Sequence, residues 1–363
     1  MKQERAAGGV VVRQAQDQTW EFLLIDDRYG KVSFAKGRME AGETIEQTAL
    51  REIEEETGII GEIKGFLQTQ KYVYTLPERG TVDKQVDYFL VLAIGGEVAV
   101  QVEEIDAVHW CNAEEAWMRQ TANGYENNAT LLTEAFLQLG IAARWIDHTL
   151  LRPDARSADI EKLCREAVEH GFYSVCVQSG YVAKAKECLQ DSNVKIAAVC
   201  GFPHGVQVTE AKVAEAARSA DAGAEEIDMV LNIGALLDGE YDAVEQDIAA
   251  VVQAVAGRAA VKVIFETGYL NETQIEEACR RSVAAGAAFV KTSTGFGPGG
   301  ATVAQIKLMR ETVGDACGVK ASGGVRDFEA MLAMVAAGAN RIGTSSGIAI
   351  VSGSTAVTKT GAY

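Results

Sequence analysis

The feature that most constrains this chain is an alternation in its second half. From Trp145 onward, eight short apolar runs stand between helix-length segments: Trp145 to His148, Ser174 to Val177, Lys195 to Phe202, Glu226 to Leu231, Ala260 to Glu266, Phe289 to Ser293, Gly318 to Ser322 and Arg341 to Thr344. Eight β/α units in about 220 residues predict an α/β fold, a closed (β/α)8 or TIM barrel. Chemistry in such barrels gathers at the C-terminal ends of the strands. Polar residues do stand there: Asp147, Cys176, Asp228, Glu266, Lys291, Lys320 and the run Thr344-Ser345-Ser346.

Two of these are lysines, and a lysine at the end of an apolar strand is costly to bury while charged. Its pKa falls when it is desolvated or set beside another cation, and the neutral amine is a nucleophile. Lys291 and Lys320 end the sixth and seventh runs, which are neighbours in a barrel, so one can form a Schiff base while the charge of the other lowers its pKa. Lys262, on the fifth run, is the alternative nucleophile. Lying early in its strand, it is expected to point away from the active mouth. Loops after strands seven and eight often bind phosphate through backbone N–H groups. Gly323-Gly324 and Gly343-Thr344-Ser345-Ser346-Gly347 fall in those loops.

The first part of the chain reads differently, with longer alternating strands such as Trp20 to Ile25 and Tyr88 to Ile94 around one charged helix. Thr130 to Leu139 reads as a helix closed by Gly140, which places the boundary between domains 1–140 and 141–363; no Gly/Ser-rich or Pro-rich linker separates them. Within the first domain, Gly37 to Ile59 (GRMEAGETIEQTALREIEEETGI) fits G-x5-E-x7-R-E-U-x-E-E-x-G-U, with U aliphatic, at every fixed position. Thr44 with Gln47 predicts a capping box, Ile45, Ala49 and Ile53 a buried stripe, and Gly58 the helix end. Glu52, Glu55 and Glu56 are expected to share the opposite face. Like charges at that spacing repel by roughly 0.2–0.5 kcal/mol per pair, so a cation should offset them; Arg51 supplies part and a hard divalent ion the rest.

A net charge of -17 disfavours nucleic-acid and anionic-membrane partners. No stretch approaches the ~20 apolar residues of a membrane span, and the N-terminus lacks the apolar segment of a signal peptide. Seven cysteines with no C-x-x-C pair suggest reduced thiols in a cytoplasmic protein.

The Gly37 to Ile59 segment resembles the Nudix box, and the strands at Ala7 to Val12 and Tyr88 to Leu92 suit that family's α+β fold, an αβα sandwich. The resemblance covers roughly residues 5 to 140. It implies hydrolysis of a nucleoside diphosphate linked to another group, with Glu52, Glu55 and Glu56 holding Mg²⁺ or Mn²⁺ and a further carboxylate, Glu103 or Glu104, from a later loop.

In the second domain, Ile146-Asp147-His148-Thr149-Leu150-Leu151, Ser174-Val175-Cys176-Val177, Gly201-Phe202-Pro203, Glu226-Ile227-Asp228-Met229-Val230, Val290 to Gly295 and Val319 to Gly324 resemble deoxyribose-phosphate aldolase. That resemblance implies cleavage of 2-deoxy-D-ribose 5-phosphate without a cofactor. It makes Lys291 the Schiff-base nucleophile, has Asp228 and Lys320 manage protons through a bound water, and gives the terminal Tyr363 a place over the mouth. Substrate and phosphate contacts fall to Asp147, Thr149, Cys176, Thr294, Gly295, Gly323, Gly324, Ser345 and Ser346. Partners on this reading are small-molecule substrates, and a homodimer is the assembly to test. Gln178-Ser179 and Gly297-Pro298 depart from the family's expected Asn-Pro and Ser-Thr. Two alternatives stay open: a Nudix unit that senses a nucleotide instead of hydrolysing it, and a Schiff-base aldolase with a longer donor.

Overall fold

A computed structural model describes residues 2–17, 19–76, 80–99 and 105–352. The chain divides into two compact units, Met1–Ile141 and Ala142–Tyr363.

The first unit is a mixed sheet of β1 (Lys2–Gln14), β2 (Trp20–Asp27), β3 (Val32–Ser33), β4 (Lys36–Arg38), β5 (Ile59–Leu76), β6 (Gly80–Gly96) and β7 (Ile105–Asn112). Its main path runs β3-β2-β1-β6-β5, with β4 on β1 and β7 on β2. Among the described strands of this sheet only β1 and β6 pair in parallel, with Ala7 opposite Asp87 and Val11 opposite Val91. Alternation along the strands gives the sheet two buried faces. Ala7, Val11, Leu23, Phe89 and Val91 pack against Ala49 and Ile53 of α1 (Ile45–Thr57). Phe22, on the other face, meets Phe136 of α3 (Asn128–Gln138) edge to face at 5.2 Å, and Trp117 of α2 (Ala113–Asn123) lies 6.2 Å from the same ring. Helix on sheet on helix is the αβα sandwich.

α1 begins and ends as its sequence predicts. Thr44 Oγ1 accepts from Gln47 N at 3.2 Å, Gln47 Oε1 accepts from Thr44 N at 2.9 Å, and Gly58 closes the helix with φ 74°.

In the second unit β8 (Ile146–Leu150), β9 (Ser174–Val177), β10 (Lys195–Cys200), β11 (Glu226–Val230), β12 (Ala260–Ile264), β13 (Phe289–Lys291), β14 (Gly318–Ser322) and β15 (Arg341–Thr344) form a closed parallel barrel, each strand beside the next in sequence and β15 returning to β8. Helices follow the strands, from Ser157–His170 after β8 to Gly347–Val351 after β15. Four strands stop earlier than their apolar runs: β10 at Cys200, β11 at Val230, β12 at Ile264 and β13 at Lys291. Past the ends of β10 and β12 the runs continue: Phe202 packs on the apolar layer of Leu151, Cys176, Ala197 and Val199, and Phe265 is fully buried with its N–H donating to Lys291 O at 3.0 Å. Glu266, at φ 55°, turns the chain out of strand geometry.

Among the described residues no helix is long and apolar enough to cross a membrane. All seven cysteines are unpaired thiols, and all but Cys188 are buried.

Candidate functional site

The barrel interior holds an ionic cluster. Three carboxylates, Asp147, Glu226 and Asp228, face four cations, Lys262, Lys291, Lys320 and Arg341, and every side chain is at most 6% exposed. Strand register builds it: Asp228 lies opposite Lys262, and Lys291 opposite Lys320, which lies opposite Arg341. Asp228 is the hub. Its Oδ2 accepts from Lys291 Nζ at 2.8 Å and from Lys320 Nζ at 2.8 Å, while Oδ1 accepts from Lys262 Nζ at 2.8 Å. Asp147 accepts from Lys320, from Arg341 Nη1 at 2.9 Å and from Ser174 Oγ at 2.7 Å. Lys262 also donates to Glu226 at 2.6 Å and lies 3.4 Å from Asp147.

The lysines are therefore unequal. Lys262 has three carboxylates and Lys320 two, whereas Lys291 has one oxygen, shared with Lys320. Burial lowers the pKa of all three, but Asp228, Glu226 and Asp147 outweigh it at Lys262, and Asp147 and Asp228 outweigh it at Lys320, so both stay above the ordinary lysine value. At Lys291 burial wins, helped by the charge of Lys320 and only partly opposed by Asp228, and its pKa is lowered. Asp228 is held far below the carboxylate range, its burial overcome by Lys262, Lys291 and Lys320. Cys176 is pushed up, first by burial and then by Asp228.

The expectation that Lys262 points away from the mouth is corrected here. Its side chain turns into the barrel and its Nζ joins the same Asp228 carboxylate as the other two lysines.

Above the cluster the strand ends supply a mouth. Thr149 Oγ1 donates to Asp147 O at 2.9 Å, and Cys176 belongs to an apolar layer with Leu151, Ala197 and Val199. Beyond β12 and β13 a cavity of about 430 Å³ opens between Pro203, Ile233, Leu237 and Phe296, with Glu266 and Thr294 as part of its polar wall. Gly295, Gly323 and Gly324 have φ of 86°, 86° and 84°, which glycine alone adopts without strain. Ser293 Oγ is buried with no hydrogen-bond partner, and its Cβ lies 3.4 Å from where a Gly323 Cβ would stand. Ser345 is exposed and Ser346 half-buried, with Ser346 N donating to Thr344 Oγ1 at 2.9 Å. Tyr363 lies outside the described residues, as do Glu103 and Glu104.

In the first unit Arg51 is the centre of the acidic helix. It donates to Glu43 Oε1 at 2.7 Å, to Glu52 at 2.8 Å, to Glu55 at 2.9 Å and to the Arg38 carbonyl at 2.9 Å. Hydrogen bonding from Arg51 and from the Glu40 N–H holds the Glu43 carboxyl down at about 2. Gly37 lies against the Glu52 side chain: a Cβ there would meet its carboxylate at 1.9 Å and displace it.

One expected placement changes. Glu52 is largely covered and Glu55 exposed, but Glu56 is only 4% exposed and its Oε2 accepts from Lys36 N at 3.3 Å, so the three do not share one solvent face. Glu56 stands three residues after Ile53 and seven after Ala49, the spacing of the buried stripe itself. Among the described residues no three acidic, histidine or cysteine side chains converge on a common point suited to an ion. The side chains are hard carboxylate donors, and Glu52 and Glu55 are both paired with Arg51.

Family models match both parts: a NUDIX domain over residues 2–134 and a DeoC/LacD family aldolase over residues 141–353. The chain belongs to the DeoC/LacD aldolase family. A deoxyribose-phosphate aldolase of Thermococcus gammatolerans is 56% identical over 214 residues, spanning 58% of this chain and 95% of that protein. That of Caldanaerobacter subterraneus subsp. tengcongensis is 55% identical over 211 residues, 58% of this chain and 91% of its own length. Among solved structures, the tetrameric deoxyribose phosphate aldolase of Aeropyrum pernix matches with a TM-score of 0.55 at 33% identity, over 60% of this chain and 95% of that one. The aldolase barrel and the NUDIX domain thus stand in one chain. Within the aldolase barrel, Glu226, Arg341 and Ser174 complete the ionic cluster without having been singled out by sequence. Their signal is the alternation Glu226-x-Asp228 and the charged first residue of β15.

Proposed function

We propose that the aldolase barrel cleaves 2-deoxy-D-ribose 5-phosphate to acetaldehyde and D-glyceraldehyde 3-phosphate through an imine on Lys291. The observation that carries the reading is the inequality among the lysines: Lys291 alone of the three has its pKa lowered, because its burial is opposed by only one carboxylate oxygen, shared with Lys320. Neutral Lys291 adds to the C1 aldehyde, and water leaves to give an iminium. The C3 hydroxyl loses its proton, the C2–C3 bond breaks, and its electron pair reduces the iminium to an enamine as glyceraldehyde 3-phosphate departs. Protonation at C2 and hydrolysis release acetaldehyde and restore the amine. Asp228 and Lys320, joined at 2.8 Å, relay these protons through water. Asp147, Thr149 and Cys176 line the substrate path, and Thr294, Gly295, Gly323, Gly324, Ser345 and Ser346 hold hydroxyl and phosphate groups.

Borohydride added with deoxyribose 5-phosphate should trap a covalent adduct, since only an iminium gives that product, and peptide mapping should find it on Lys291. An adduct on Lys262 or Lys320, or none, refutes the assignment. EDTA should leave the aldolase rate unchanged.

For the NUDIX domain the reading is hydrolysis of a nucleoside diphosphate derivative, with Glu52, Glu55 and Glu56 as ligands of Mg²⁺ or Mn²⁺. The ion, when bound, neutralises pyrophosphate charge and lowers the pKa of water. Glu52 and Glu55, paired with Arg51, would have to leave it to hold the ion. The second reading is a nucleotide-sensing or assembly module, and a Mg²⁺-dependent hydrolysis screen separates the two. A homodimer is the assembly proposed, to be checked by light scattering.

A further inference from the structure

Glu266 has no role in the chemistry above, yet the fold holds it in an unfavourable place. It is the only described non-glycine residue with positive φ, 55°, and its side chain is 2% exposed at the end of β12. Residues kept in the left-handed region without being glycine cluster at functional sites, because surrounding structure must hold them there. Its carboxylate accepts from Thr294 N at 3.2 Å and from the Thr294 hydroxyl. The chain makes room for it: a Cβ on Gly297 would meet the Glu266 Cδ at 2.6 Å. Gly297 is also one of the positions where the sequence departs from the family's expected residues.

The hydrogen-bond inventory of Thr294 then gives the wall a definite polarity. A threonine hydroxyl has one proton and two lone pairs. The proton goes to Glu266, and one lone pair takes the Phe296 N–H at 3.0 Å. What faces the cavity is a lone pair on Thr294 beside the remaining lone pairs of a carboxylate. On this side the wall accepts hydrogen bonds and offers none, whereas His204 and Tyr269 line the cavity elsewhere.

We propose that Glu266 is a positioning residue for substrate specificity: by fixing the Thr294 hydroxyl as an acceptor, it selects a substrate whose half remote from the imine carries a hydroxyl donor. The proposal rests on the aldolase reading. Thr294 lies three residues beyond Lys291, at the open end of β13, so the cavity receives the acceptor aldehyde and not the two-carbon donor. Burial raises the Glu266 pKa, while the Thr294 hydrogen bonds and the Lys291 charge oppose that rise. Without Glu266, the Thr294 hydroxyl is no longer held as an acceptor, and the discrimination between a hydroxyl and a hydrogen weakens.

The test separates the two halves of the reaction in the full-length protein. Donor activation is read as borohydride trapping of acetaldehyde on Lys291 and as exchange of its methyl protons. Acceptor recognition is read as the ratio of condensation rates with glyceraldehyde 3-phosphate and with its 2-deoxy analogue. Glu266→Ala should lower that ratio about 10-fold or more, as expected when a site built to pair a hydroxyl loses its partner. The fall should appear in kcat/KM for the hydroxylated acceptor, with donor exchange retained within about threefold. Glu266→Gln, which keeps an accepting oxygen, should restore most of the ratio. Thr294→Val should reproduce the loss, and the double variant should cost no more than the worse single one; Thr294→Val also serves should Glu266→Ala not fold. An unchanged acceptor ratio in Glu266→Ala and Thr294→Val, or additive losses in the double variant, overturns the proposal while leaving the aldolase reading intact. A wild-type protein that neither traps nor exchanges acetaldehyde overturns both.

Discussion

Replacing Lys320 by Met removes a cation while keeping most of the side-chain volume. The Lys291 and Lys320 nitrogens each lie 2.8 Å from Asp228 Oδ2, so their separation is at most about 5.6 Å. Two unit charges roughly 5 Å apart at an effective dielectric of about 20 repel by about 3 kcal/mol. That is about two pH units in the Lys291 pKa, since 1.36 kcal/mol corresponds to about one. The sign is fixed: removing a neighbouring cation makes the ammonium form of Lys291 easier to hold, and the Asp228 oxygen freed from Lys320 acts in the same direction. The fold should tolerate the change, because Asp147 keeps Arg341 at 2.9 Å and Lys262 at 3.4 Å. The assay is the initial rate of borohydride-trapped adduct against pH. Its apparent pKa should move up by about two pH units, and below both values the rate should fall about 100-fold. A profile that keeps its midpoint and its rate would falsify the pairing and place the cause of the depressed Lys291 pKa in burial alone.

Lys262→Met leaves Glu226 and Asp228 short of a buried partner, so the barrel should lose roughly 3–5 kcal/mol; its urea midpoint should fall, whereas any protein that remains folded should still form the adduct on Lys291. Abolished trapping with unchanged stability would move the nucleophile to Lys262. In the NUDIX domain, Glu55→Gln with Glu56→Gln keeps helix propensity nearly constant while removing two charges. Mg²⁺-dependent hydrolysis should fall by orders of magnitude, with aldolase turnover equal with and without nucleotide; nucleotide-dependent aldolase kinetics that disappear in the double variant would favour the sensor instead.

The barrel was legible because parallel strands buried on both faces read as unbroken apolar runs, and eight of them spaced by helices permit few folds. The same property hid the direction of Lys262. In a run such as Ala260 to Phe265, with apolar residues at both parities, nothing in sequence says which side faces the barrel axis. Only register, with Asp228 opposite Lys262, decides it. Lys291 and Lys320 escaped this ambiguity because neighbouring strands place them side by side. In the first domain the caps of α1 were legible as local chemistry. The burial of Glu56 was not, although its spacing from Ala49 and Ile53 contains the answer, because residue type alone places a glutamate of a strongly acidic run in solvent. Glu266 was visible as a polar residue at a strand end, but its left-handed backbone and its grip on Thr294 come from the packing of β12 against the loop after β13.

Charge counting in the cluster links the choice of nucleophile to the bond-breaking step. With every group ionised the cluster carries four positive and three negative charges in a buried volume, an excess best removed at the cation with the fewest carboxylate contacts. That cation is Lys291. On the proposed chemistry the iminium restores the positive charge at the same place, where burial and Lys320 oppose it, and enamine formation removes it again as the C2–C3 bond breaks. An environment that disfavours a cation at Lys291 therefore lowers the barrier to cleavage relative to the bound iminium, because the charge is already dispersing in the transition state. Asp228 must limit the effect, since an iminium with no counter-charge would not form. Its Oδ2, shared between Lys291 and Lys320, provides a partial counter-charge, and the balance depends on both lysines touching the one oxygen.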